Sequence, residues 1–236
     1  MKTTVTIICI LVIAGLVIAF TYKYPTTTEI IIWDDVTDEY LSHPDPNEIL
    51  SLGDFTGDNK WNGALIRYST LSDISYNTIT EIKLPAENKW LSNEIERDRS
   101  IKTFKEKLAK TISAKDSIGK NHSFLYVPIA RELNRLSKSK SQKKIVVIYS
   151  DLMENDPDFS FYDKQLFSSI ESNADSFKGH FESQEPLSAL FGIEIYIIYR
   201  SSDVGKDREF RFVSEFYKKM LQGKGATVHI SANLAN

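Results

Sequence analysis

Residues 30–40 read I-I-I-W-D-D-V-T-D-E-Y, and this stretch limits the possible folds more than any other. Four consecutive apolar side chains pass without a spacer into Asp34, Asp35, Thr37, Asp38 and Glu39. A short continuous apolar run suits a strand buried on both faces, as in the middle of a parallel sheet. Its carboxyl end then places acids where open α/β sheets hold their ligands. A second copy follows far downstream at residues 145–151, I-V-V-I-Y-S-D, with Glu154, Asp156 and Asp158 close behind. Two buried strands that both end in acid make a cation site the leading expectation.

Strand and helix patterns alternate around this pair, the sequence form of a doubly wound, mostly parallel α/β sheet of Rossmann-like type. Pro44 and Pro46 allow a short helix over 47–52, closed by Gly53. Residues 64–71 and 78–84 read as strands, and the short link 72–77 makes them an antiparallel edge hairpin. Over 93–112 the residues Ile95, Ile101, Phe104, Leu108 and Ile112 recur at helical steps. Arg97, Arg99, Lys102, Lys105, Glu106 and Lys110 then fall on the outer face. A helix over 123–136 follows, with Ser123 as its N-cap and Pro128 in its first turn. The basic connector 138–144 reads as a solvated loop. Residues 162–177 are moderately helical, 181–186 irregular, 193–199 a strand, 208–221 an amphipathic helix and 226–230 a last strand.

The amino terminus is of another kind. Residues 5–20 carry no charge, and Lys2 and Lys23 flank them. With Thr3, Thr4, Thr21 and Tyr22 the uncharged span runs over 3–22, close to the roughly 20 residues that cross a bilayer. Residues 1–23 are therefore expected to be a single-pass transmembrane anchor. Residues 24–236 then form one α/β domain outside the cytoplasm. The alternative is a signal segment cleaved after Ala19 and a secreted domain. Cys9, the only cysteine, lies in this run, so residues 24–236 offer no disulfide, thiolate metal site or cysteine nucleophile. The net charge of −3 is spread along the chain, and no basic face suited to nucleic acid stands out.

Enzyme signatures are sparse. There is no G-x-x-x-x-G-K-[ST] loop, no G-x-G-x-x-G after a strand and no G-x-S-x-G elbow. Val36 stands where a D-x-D-x-T phosphatase motif needs its second aspartate. His43, His122, His180 and His229 are far apart, with His122 beside the proposed second loop and His229 in a strand. Residues 54–63 read as a plain turn, since the order of a calcium loop is missing. Trp33, Trp61, Trp90, Tyr196 and Tyr199 read mostly as core, Trp33 being the one placed to wall the acidic loop.

Asp35-Val36-Thr37-Asp38-Glu39 resembles a variant of the D-x-S-x-S motif of von Willebrand factor type A (VWA) domains. The edge hairpin, Ser123 ahead of the middle helix and Tyr149-Ser150-Asp151 at a strand end fall in that family's order. The resemblance spans about residues 29–230. It implies a metal-ion-dependent adhesion site holding Mg²⁺ (or Mn²⁺ or Ca²⁺) on Asp35, Thr37, Ser123 and Asp151. Asp34, Asp38 and Glu39 would stand behind these ligands. It further implies a protein partner that offers a carboxylate to the metal, with no catalysis. Glu39 departs from the motif's last serine, and Leu152 stands where a glycine usually follows the third-loop aspartate. Two other readings stay open. One is a Mg²⁺-dependent hydrolase using Asp35 and Asp151. The other is a scaffold whose metal site has decayed, with Asp34, Asp35 and Thr37 only capping the next helix. Glu154, Asp156 and Asp158 are expected to form a solvated acidic loop.

Overall fold

A computed structural model of the chain describes residues 24–37, 42–53, 55–71, 78–114, 123–156, 159–200 and 204–234. The expected anchor over 1–23, together with Asp38, Glu39, His122 and Asp158, lies outside the described residues. No helix among the described residues is long and apolar enough to cross a membrane.

Strands β1 (Thr27–Asp35), β2 (Gly63–Leu71), β3 (Thr80–Leu84), β4 (Lys143–Tyr149), β5 (Ile193–Ile198) and β6 (Thr227–Ser231) form one sheet in the order β3-β2-β1-β4-β5-β6. Only β2 and β3 pair antiparallel, with Ile66 opposite Ile82. The expected edge hairpin is therefore present. β1 lies in the middle, with Ile32 opposite both Tyr68 of β2 and Val147 of β4. Its burial on both faces is the physical content of the I-I-I-W run: Ile30 and Ile32 enter one core, Ile31 and Trp33 the other.

Six α-helices, with a 3₁₀ turn at Gly57–Trp61, complete the described fold. α1 (Pro46–Ser51) and α2 (Glu94–Ser113) cover the face that holds Ile30, Ile32, Ile145 and Val147. α3 (Tyr126–Ser137), α4 (Lys164–Ser172), α5 (Ala174–Gln184) and α6 (Val204–Gln222) cover the face of Ile31, Trp33, Val146 and Ile148. Each fully buried Ile or Val in these layers stabilises by about 1.5–3 kcal/mol relative to exposure.

The structure departs from the sequence reading at several places. The segment expected as one helix over 162–177 is two, broken at Asn173, and the second continues to Gln184 through residues expected to be irregular. Arg97 was placed on the outer face of α2, yet it is fully buried. Its guanidinium donates to the carbonyls of Lys60, Asn62 and Pro85, locking two loops together. Ile95, placed on the apolar stripe, is exposed in the first turn of α2. Trp90 is also exposed rather than core. His229 stacks on Tyr196 with ring centroids 4.8 Å apart, as a strand histidine on an open face can.

Candidate functional site at the carboxyl end of the sheet

The strand order reverses between β1 and β4: from β1 the chain builds outward to β2 and β3, then crosses to β4 and builds the other way. The crevice at such a switch point is the ordinary ligand position of an open α/β sheet. Asp34 and Asp35 end β1, and Ser150 and Asp151 follow β4 immediately, so the first and third loops of the sequence reading do meet there.

Successive strand residues point to opposite faces, and the two aspartates accordingly have different surroundings. Asp35 is fully buried on the α3 side. Its Oδ1 accepts from the Thr37 hydroxyl at 2.6 Å and the Thr37 amide at 3.0 Å. Its Oδ2 accepts from the Ser150 hydroxyl at 2.7 Å. Burial is the largest influence on this carboxyl and pushes its pKa above the ordinary value, against the downward pull of Thr37 and Ser150. All three donors are neutral, so the anion has been dehydrated without a countercharge from them.

Asp34 is equally buried on the other face. Tyr68 donates its hydroxyl to Oδ2 at 2.9 Å, and His43 Nδ1 lies 2.7 Å from Oδ1. Burial, followed by the Asp34 charge, drives the Tyr68 hydroxyl far above its usual pKa, which keeps it a donor. The helix-capping role offered for Asp34, Asp35 and Thr37 is overturned. Asp45 caps α1, accepting from the amides of Asn47 and Glu48, with Pro46 at the first helical position. Trp33 does not wall an open site either. It is buried in the core one pleat below Asp35, with its Nε1 unpartnered.

Ser123 is not the N-cap of α3. It forms a β-bridge with Asn155, with N–O distances of 3.1 and 2.9 Å, which fastens the second loop to the third. Its hydroxyl oxygen is buried and without a hydrogen-bond partner. The cap is supplied from outside the helix: Glu154 accepts from the amides of Leu125 (3.0 and 3.1 Å) and Tyr126 (2.8 Å), and from the Tyr217 hydroxyl at 3.3 Å. A carboxylate at a helix amino end is favourable. Burial nevertheless dominates and pushes Glu154 up to about 7. The expected solvated loop is thus wrong for Glu154, whose side chain reaches inward. No local signal distinguishes it from Asp156, because the helix it caps begins almost thirty positions earlier in the chain, at Tyr126.

Asp151 is half-exposed and its Oδ1 accepts from the Met153 amide at 2.9 Å. It lines a cavity of about 120 Å³ with Met153, Tyr162, Tyr199, Lys206 and Glu209. The next residue, Leu152, has φ +60°, the left-handed conformation that glycine adopts most readily. Its fully buried side chain offers the compensating packing. His43 was missed altogether, since it stands nine positions along the chain from the aspartate it meets, with no motif spacing to link the two.

Of the four residues expected to hold metal, the structure hydrogen-bonds Asp35 to Thr37, ties Ser123 to the third loop and leaves Asp151 on the β5 side of that loop. No group of three or more His, Cys, Asp or Glu side chains fit to hold a metal ion occurs among the described residues. A set of two carboxylates and two hydroxyls, completed by waters, would fall below that count and still suits Mg²⁺. Two observations agree with such a group: the uncompensated Asp35 carboxyl and the orphaned Ser123 oxygen. No protein-family model matches this chain, and no curated protein matches it in sequence.

Proposed function

We propose that the chain is a membrane-tethered, divalent-cation-dependent protein-binding module of VWA type. Its site would lie at the carboxyl ends of β1 and β4. The observation that carries this reading is Asp35, a carboxyl buried at the switch point with two hydroxyls and a backbone amide as its hydrogen-bond partners. Mg²⁺ there would supply the missing positive charge and an open coordination position for an acidic group of a partner. Asp35 and Thr37 would hold it from the first loop, Ser123 from the second and Asp151 from the third. The left-handed Leu152 keeps the third loop in the shape that a glycine at that position would give.

Calorimetry and thermal shift of the full chain in detergent, with Mg²⁺, Mn²⁺ and Ca²⁺, test the site. Saturable binding should raise stability by about 2.7 kcal/mol at a hundredfold excess over Kd. The gain should vanish in Asp35→Ala and Asp151→Ala. Absence of heat and shift at millimolar metal would leave a hydrogen-bonded loop clamp and remove the adhesion reading.

A hydrolase is the second reading, and His43 favours it. A half-buried imidazole fixed through Nδ1 by a buried carboxylate is the arrangement that orients a general base. Loss of turnover in His43→Gln with metal binding intact would select it over the binding module.

A further inference from the structure

The opposite end of the molecule carries a second surface. Six large apolar side chains are conspicuously exposed among the described residues: Tyr24, Trp90, Leu91, Ile95, Tyr162 and Phe191. Only Tyr162 belongs to the carboxyl end. Tyr24 precedes β1, and Trp90, Leu91 and Ile95 lie in the turn after β3 and the first turn of α2. Phe191 precedes β5 and lies against Gly225, just ahead of β6. Since β3 runs antiparallel, all five mark the amino-end rim of the parallel strands. The rim crosses all six strands, roughly 24 Å at the usual strand spacing.

Cations share this rim. Lys89 is exposed beside Trp90, and Lys138, Lys140 and Lys143 are exposed in the connector that enters β4. An open concavity of about 520 Å³ there is lined by Arg135, Lys138, Lys140, Ser139, Ser141 and the buried Glu29. Glu29 is already held by Arg135, whose Nη2 lies 2.6 Å away. Lys60 is paired with Glu94 and Asp98, Lys224 with Glu182, and Lys143 donates to the Leu52 carbonyl at 3.1 Å, so the positive charge offered to a surface is that of Lys138 and Lys140 in the connector. The Trp90 turn is fixed: Leu91 and Ser92 donate to the Asn88 carbonyl, and buried Arg97 ties down the flanking loops. Ordering it on a surface therefore costs little chain entropy.

Chain length says what covers this face. Six residues, 21–26, separate Phe20 from the start of β1. At full extension that is about 25 Å, so an apolar run over 5–20 seated in a bilayer holds the rim next to the lipid surface. Tryptophan, tyrosine and lysine are the residues that suit the bilayer interface.

We infer that the amino-end rim of the sheet docks on an anionic phospholipid surface. Trp90, Leu91 and Phe191 would enter the headgroup layer, and Lys138 and Lys140 would meet lipid phosphates. The domain then stands with its Asp35–Asp151 end pointing away from the membrane. The inference rests on the tether in the reading above and not on its metal site.

The test uses the full chain reconstituted in vesicles of phosphatidylcholine, with and without phosphatidylglycerol, bearing brominated acyl chains. Trp33 and Trp61 are buried, so Trp90 is the exposed one of the three tryptophans. Its emission should be lost to the bromines in anionic vesicles. That loss should be absent from Trp90→Phe and weakened by Lys138→Glu with Lys140→Glu. Equal bromine quenching in wild type and Trp90→Phe would overturn the proposal. So would quenching indifferent to phosphatidylglycerol, or Trp90 emission still open to aqueous iodide. Flotation of the same vesicles in alkaline carbonate reports the anchor separately. A chain that floats without Trp90 quenching keeps the tether and loses the docking face, whereas a chain that does not float loses both.

Discussion

The two ends of the sheet solve the burial of a carboxylate differently. At the amino end Glu29 is buried beside Arg135, and Ser139 and Ser141 donate to its other oxygen. The Arg135–Glu29 pair is 2.6 Å apart but off the line of a good hydrogen bond, so charge holds it more than direction. At the carboxyl end Asp35 and Glu154 are as deeply buried, yet their partners are hydroxyls and backbone amides. At Asp35 and Glu154 the neutral donors lower the carboxyl's pKa less than burial raises it, and both groups end above their ordinary values. One end is electrostatically complete. The other holds negative charge only at a cost, which a proton or a bound cation can relieve.

Glu154 gives the largest contrast. Its pKa is near 7 folded against 4.5 as a free side chain, so the folded state binds the proton more tightly. Stability should be full below about pH 4.5 and fall as pH rises to 7, by on the order of 3 kcal/mol at most. Glu154→Gln, which keeps an acceptor for the α3 amides, should remove that slope and be the more stable protein at pH 8. Urea unfolding of both at several pH values in detergent checks it; parallel curves would break the comparison. Glu29→Gln should do the opposite. Removing the partner of Arg135 should cost about 2–3 kcal/mol near neutral pH, less than a fully buried pair because Glu132 also holds Arg135. Tyr68→Phe strips Asp34 of its buried hydroxyl donor and should cost about 1 kcal/mol, with His43 still against the other carboxylate oxygen. Smallest is Asp35→Asn. Without metal it should leave stability within about 1 kcal/mol of wild type, because it removes a charge whose burial was unfavourable. Should Asp35→Asn and Glu29→Gln destabilise alike in chemical denaturation, the two ends would not differ as argued.

The fold was legible wherever one segment carries its own burial pattern. The I-I-I-W and I-V-V-I-Y runs are apolar on both faces, as central parallel strands require. The Ile66–Ile82 hairpin and the helix around Phe104 and Leu108 follow from equally local periodicity. The misplaced residues share a cause. Arg97 is buried because three carbonyls from other loops converge on it, and Glu154 because a distant helix presents two free amides. Neither the convergence nor the amides are written near the residue they capture.

The same division holds for the candidate site. Sequence alone determined that acids follow two buried strands, and strand alternation then sends Asp34 and Asp35 to opposite faces. Only the tertiary structure decided that Ser150 rather than Asp151 closes on Asp35, that His43 meets Asp34 and that Ser123 is pinned by Asn155. Hydrophobic patterning is a property of consecutive residues, whereas the charge state and partners of a buried carboxyl depend on which chain segments the packed sheet brings together.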